Sequence, residues 1–126
     1  MGSRGAFVDV NTGNFSFVSN GQNYFSLGSL STNHNVKVLV QAKGSVKAPE
    51  FSHTEGRVYA IVQEGRLKHV TYYDEKHNQA VSIDLTIPHD KKLPHKHLYL
   101  DHTTAYDISP DEQALINKIR KEYKLK

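Results

Sequence analysis

The chain has 126 residues, with 16 Lys and Arg against 13 Asp and Glu, eight His and no Cys, for a formal net charge of +3. That length fits one domain able to bury about two-thirds of its unfolded surface, and the missing cysteine excludes a disulfide framework, a thiolate nucleophile and a Cys-type zinc site. No apolar run approaches the roughly 18 residues that span a bilayer and no signal-peptide core opens the chain, while protonating every histidine would lift the charge to +11, which permits a polyanionic partner without requiring one.

Residues 1–4 read as a leader or linker, and 5–126 as a single domain cut from a longer protein. Ala6-Phe7-Val8-Asp9-Val10 and Phe15-Ser16-Phe17-Val18 are β-prone pieces separated by Asn11-Thr12-Gly13-Asn14, so the first unit reads as a hairpin. Tyr24 to Asn35, rich in Ser and Asn, reads as an irregular loop, and Val36 to Val40 as a strand. Residues 45–56, with Pro49, read as a connection.

Arg57 to Gln63 and Arg66 to Tyr73 flank Glu64-Gly65, a two-residue hairpin loop. An unbroken ladder from that loop sets Ile61 opposite Lys68, Ala60 opposite His69 and Tyr59 opposite Val70. A third strand, Gln79 to Leu85, alternates Val81, Ile83 and Leu85 with Ser82 and Asp84, and keeping its apolar side with Val70 brings Asp84 opposite His69. A fourth strand, His95 to Leu100, sets Leu98 and Leu100 against His95, His97 and Tyr99. Ser109-Pro110-Asp111-Glu112 then carries the capping-box signature of a helix, with Ala114, Leu115, Ile119 and Tyr123 as its apolar stripe. The expected fold is α+β, a mostly antiparallel sheet with the C-terminal helix packed on one face.

The chemistry concentrates in Pro88-His89-Asp90-Lys91-Lys92-Leu93-Pro94-His95-Lys96-His97. On a strand His95 and His97 project to one side, about 7 Å apart along the chain, and the reading gathers His69, Asp84, His95 and His97 on one exposed polar face with His89 on the loop before them. A histidine beside an aspartate has its tautomer fixed and its basicity raised, and a second histidine can serve as the complementary acid. That set suits RNA cleavage without a metal or other cofactor. His95 and His97 supply acid and base, His69 and Asp84 orientation, Lys96 or Lys92 contact with phosphate, and Arg57 and Tyr99 further substrate contact. The plain alternative is a solvated sheet face. A third reading is an open zinc site of His95 and His97 completed by His69, His89 or Asp84. His77, His34 and His102 read as surface residues, while His53 lies near Arg57. Phe7, Phe15, Phe17, Tyr24 and Phe25 read as core packing rather than as a base-stacking platform. Lys118 to Lys126 reads as a solvated basic helix end, and no phosphate-binding glycine loop, GxSxG or dinucleotide fingerprint is present.

Lys68-His69-Val70-Thr71-Tyr72-Tyr73-Asp74, Val81-Ser82-Ile83-Asp84-Leu85, His89 and Pro94-His95-Lys96-His97 together give the segment from about Arg57 to His97 a resemblance. It resembles domains at the C-terminal ends of phage minor head (Mu F-like) proteins and in bacterial polymorphic toxins, nucleases of the barnase, EndoU, colicin and RelE type. The resemblance implies ribonuclease-like hydrolase activity on RNA, with Asp84, His89, His95 and His97 its most recognisable residues. It also implies a cognate immunity protein as a partner and a phage virion or a target cytoplasm as the place of action. The usual order of that fold, helices before the sheet, is not evident in this chain. The expected alternative is a non-catalytic phage structural or protein-binding domain whose histidines lie on the surface.

Overall fold

The computed structural model describes residues 7–8, 15–19, 22–42, 44–49, 51–52, 55–86, 93–99 and 101–126, and for 7–8, 15–19, 22 and 102 the backbone alone. The strands are β1 (Phe7–Val8), β2 (Phe15–Ser19), β3 (Gln22–Leu30), β4 (Asn33–Gln41), β5 (Val58–Gln63), β6 (Arg66–Tyr73), β7 (Gln79–Asp84), β8 (His95–Leu98) and β9 (Asp101–Tyr106), followed by helix α1 (Pro110–Tyr123). They form one sheet in chain order. Every neighbouring pair is antiparallel except β4 and β5, which run parallel. The expected α+β architecture with a C-terminal helix is therefore present.

The stretch expected as an irregular loop from Tyr24 is instead most of the β3–β4 hairpin. Its alternation was hidden because serine takes an inward position: Ser26 is buried beside Tyr24 while Phe25 and Leu27 face outward. Gly28, at a φ of +133°, allows the ladder to shift, and a Cβ there would sit 3.0 Å from the Tyr123 hydroxyl. That close approach docks the helix end: Tyr123 donates to the Ser29 carbonyl at 2.7 Å, and the Glu122 carboxylate accepts from the Ser31 amide and hydroxyl.

The β5–β6 hairpin turns at Glu64-Gly65, both in the left-handed region, and Gln63 pairs with Arg66 as the loop length dictates. The unbroken register expected beyond it does not hold. Val62 pairs with Leu67 but Ile61 pairs with His69, so Lys68 is an extra residue on its strand, a β-bulge. Ala60 then faces Val70, and Tyr59 faces Thr71. The cause is apolar: Leu67 and Val70 are three apart, yet both are buried in one cluster, which a regular period of two cannot achieve. Burying both side chains contributes about 1.5 to 3 kcal/mol each. The displaced backbone groups are satisfied, since the Leu67 amide donates to the Lys126 carbonyl at 2.8 Å and the Lys68 carbonyl accepts from the Leu85 amide at 3.0 Å.

Leu67 and Val70 join Val36, Val38, Val58, Ala60, Val62 and Ile83 beneath α1, which contributes Ile116 and Ile119. Of the expected helix stripe, Leu115, Ile119 and Tyr123 pack as read, Ala114 is exposed, and Ile116 takes the central place. The capping box is formed, Ser109 accepting from the Glu112 amide and the Glu112 carboxylate accepting from the Ser109 amide.

A second cluster lies on the opposite face: Tyr24, Leu39, Ala48, Tyr59, Ile61 and Tyr73. The connection from β4 to β5 crosses this face as a strap and is held by buried polar side chains beneath it. Tyr24 donates to the Lys47 carbonyl and Tyr73 to the Pro49 carbonyl. Gln41, fully buried, donates to the Ser45 carbonyl at 2.8 Å and accepts from the Lys47 amide at 3.0 Å. The Tyr59 and Tyr73 rings meet edge to face at 5.2 Å. Burial pushes both the Tyr24 and the Tyr73 phenol well above the ordinary tyrosine value.

A raised folded-state pKa stabilises fully below the unfolded value of about 10 and is lost as pH rises through the folded value. Absorbance titration is therefore expected to leave Tyr24 and Tyr73 un-ionised until the protein melts in alkali. One reversible step near pH 10 for all seven tyrosines would contradict the strap packing. Tyr73→Phe is expected to lose about 1 to 2 kcal/mol in urea unfolding, the loss of one buried donor.

Candidate functional site

The bulge at Lys68 sets the side chain of His69 on the strap side of the sheet, beside Ile61. From there the ladder runs His69 to Asp84 on β7 and Asp84 to His95 on β8. The row behind it runs Thr71 to Ser82 to His97. Cross-strand partners share a face, so six polar side chains from three neighbouring strands, spaced about 4.8 Å apart, form one patch. The expected pairing of His69 with Asp84 is present.

Asp84 is oriented by its own turn. Its Oδ1 accepts from the Thr86 amide at 2.8 Å and the Thr86 hydroxyl at 3.0 Å, a local side-chain arrangement typical of aspartate two residues before its partner. Its Oδ2 then faces His69 Nε2 at 3.8 Å, too long for a hydrogen bond and close enough for attraction when the imidazole is charged. Both side chains retain 18% exposure.

His95 and His97 converge far more closely than their spacing along the strand. Their Nε2 atoms are 3.1 Å apart and the rings meet nearly edge to face, with centroids 4.8 Å apart. His97 Nδ1 contacts the Thr104 carbonyl of β9 at 2.7 Å. The expectation of an exposed face fails at this pair: His95 is 2% and His97 8% exposed. A protein interior favours polar groups that are hydrogen-bonded, and His97 meets that condition at both ring nitrogens, through His95 and the Thr104 carbonyl, as His95 does at Nε2.

The other expected residues divide by face and by distance. Lys96, between the two histidines in sequence, points to the helix side, where its Nζ lies 3.0 Å from Glu112. That placement overturns its role as a phosphate contact beside the histidines, because alternation sends neighbours to opposite faces. Arg57 precedes β5 and hydrogen-bonds the His34 and Asn35 carbonyls. It is four residues from Ile61, hence about 13 Å along the strands from the His69 row, and does not join it. Tyr99, in the turn after β8 at a φ of +50°, is 72% exposed and stands outside the row. His89, Lys92 and His53 lie outside the described residues, as does the side chain of His102.

His77, expected on the surface, is partly buried, its Nδ1 3.0 Å from the Ser52 carbonyl. Tyr24 packs in the core as read, whereas Phe25 is exposed. Of the expected zinc sets, His95 and His97 lie on β8 with His69 on β6 and Asp84 on β7, and among the described residues, which do not include His89, no three metal-donor side chains converge. Two contributors were missed. Thr86 was legible, because Asp-x-Thr at a strand end is a turn pattern. The Thr104 carbonyl was not, since β9 carries no apolar alternation and a backbone acceptor leaves no trace in residue type.

Comparison with protein-family models, with curated proteins and with solved structures returned no match.

His97→Ala removes a buried imidazole together with both of its hydrogen bonds. Urea unfolding is expected to show a loss of about 2 to 4 kcal/mol. A change below about 0.5 kcal/mol would contradict the packed His95–His97–Thr104 arrangement.

Proposed function

We propose that this protein is a metal-independent, ribonuclease-like and toxin-like domain that cleaves RNA by histidine acid/base chemistry. The observation that supports this reading is the row His69, Asp84, His95 across three adjacent strands on one face. Two imidazoles flank a fixed carboxylate there, and general acid/base catalysis requires two such proton carriers near one reacting group.

The geometry redistributes the roles read from sequence. His95 and His97, bonded to each other, act as one unit and cannot stand on opposite sides of a phosphate. His69, at the accessible end of the row, is the base. With its Nε2 turned to Asp84, its Nδ1 takes the proton of a ribose 2′-hydroxyl. The 2′-oxygen bonds to phosphorus, the bond from phosphorus to the 5′-oxygen breaks, and that oxygen takes a proton from His95. The products are a 2′,3′-cyclic phosphate and a free 5′-hydroxyl. Entry of a phosphate at His69 is consistent with the 18% exposure of His69 and Asp84. A toxin-like domain of this kind would be held inactive by a cognate immunity protein.

The burial of His95 and His97 favours a second reading, a non-catalytic phage structural or protein-binding domain in which the pair is a packing feature.

One assay separates the two. Purified protein with EDTA is expected to cleave a labelled single-stranded RNA to cyclic-phosphate products, and His69→Ala and Asp84→Asn to lose at least about 100-fold in rate. Cleavage that matches wild type in both variants, or that EDTA abolishes, would overturn the proposal. No cleavage by folded wild type would leave the second reading.

A further inference from the structure

We infer that Thr104, His97 and His95 form a buried hydrogen-bond relay of fixed polarity, in which His97 is a positioning residue that sets the tautomer of His95. Its structural part stands alone, and its catalytic consequence rests on the ribonuclease reading.

A carbonyl oxygen only accepts, so the 2.7 Å contact between His97 Nδ1 and the Thr104 carbonyl requires a proton on Nδ1. A neutral imidazole carries one N–H, and His97 Nε2 therefore bears a lone pair. The 3.1 Å contact between the two Nε2 atoms then has one solution, with His95 Nε2–H as donor and His97 Nε2 as acceptor. Neutral His95 consequently has its lone pair on Nδ1. The reverse polarity would need His97 protonated on both nitrogens and His95 bare at Nε2.

The consequence is a division of labour. His97 has both nitrogens committed, one to the backbone and one to His95, so it neither meets RNA nor exchanges the catalytic proton. On the ribonuclease reading, the His95 nitrogen outside the relay, Nδ1, is the one that exchanges the catalytic proton, and in this conformation it is buried. When His95 becomes cationic the relay is unbroken, because its Nε2–H still donates to His97. When both rings are cationic two N–H groups oppose each other at 3.1 Å, and the contact is lost. The relay thus holds a single extra proton. Among the described residues, the titratable groups in the same rows are Asp84 on β7, directly across from His95, and His69 on β6; Tyr24, Tyr59 and Tyr73 lie farther along that face under the strap, and Lys96 and Glu112 lie on the other side of the sheet.

This differs from a merely structural role for His97 in a measurable way. Histidine side-chain NMR of uniformly labelled protein at pH 8 is expected to show His97 as the Nδ1–H tautomer and His95 as the Nε2–H tautomer. A scalar coupling across the N–H···N bond should join the two Nε2 nuclei. The opposite tautomer at either ring, or no coupling, would overturn the relay whether or not the protein cleaves RNA. The second arm compares His97→Gln, whose side-chain oxygen can accept from His95, with His97→Ala, at a temperature where both are folded by circular dichroism. The glutamine variant is expected to keep the wild-type tautomer of His95 and the wild-type pH profile of cleavage. The alanine variant is expected to lose about 10- to 100-fold in rate, the range for removal of an orienting partner, with a displaced profile. Equal behaviour of the two would overturn the positioning role. Wild type that shows the tautomers but no cleavage would remove the ribonuclease reading and leave the relay standing.

Discussion

The placement of one residue, Lys68, decides which face of this sheet His69 takes relative to β5. Leu67 and Val70 must both reach the core under α1, and a regular strand would send one of them to the other side. The bulge satisfies both, and in doing so turns His69 away from the helix onto the strap side, where the pairing of β6, β7 and β8 sets Asp84 and His95 beside it. It holds because its interrupted ladder is completed from elsewhere: the chain terminus supplies the Lys126 carbonyl, and β7 runs on into the Leu85 amide. A packing requirement in the core thus fixes the face on which the polar patch stands.

The two faces are covered by different means. On one side a capped helix buries aliphatic side chains, which is area-driven and tolerant in detail. On the other, the strap between β4 and β5 is tied down by buried hydroxyl and amide groups reaching its carbonyls, as with Tyr24, Gln41 and Tyr73. Polar anchoring of that sort is directional, so the strap has a defined position over β3 to β6. The histidine rows continue the same face into β7 and β8. Their polarity is compensated by the same device, since His97 ends on a backbone carbonyl as the tyrosines do.

Element type was legible wherever local chemistry decided it. The Glu64-Gly65 turn, the Ser109 to Glu112 cap and the alternation of Val81, Ser82, Ile83 and Asp84 each report on nearest neighbours, and each appears in the structure. The pairing of His69 with Asp84 was also correct, because it depended only on keeping Val70 and Ile83 together. What failed were features set at long range. The bulge depends on what α1 demands of Leu67 and Val70. The β3 strand was disguised by a serine facing inward, and β8 ended early because Tyr99 turns the chain into β9. Burial of His95 and His97 likewise followed from neighbours that composition does not reveal. The cluster of His69, Asp84, His95 and His97 was therefore readable, while its division into an accessible His69–Asp84 pair and a hidden His95–His97 pair was not.

The central claim is the register that the bulge imposes, and backbone NMR of the intact protein measures it. Cross-strand contacts are predicted between Ile61 and His69, His69 and Asp84, and Asp84 and His95, with Lys68 unpaired opposite β5. Contacts joining Ile61 to Lys68 and Ala60 to His69 would contradict the account, because they would place His69 on the face of Ala60, the helix side.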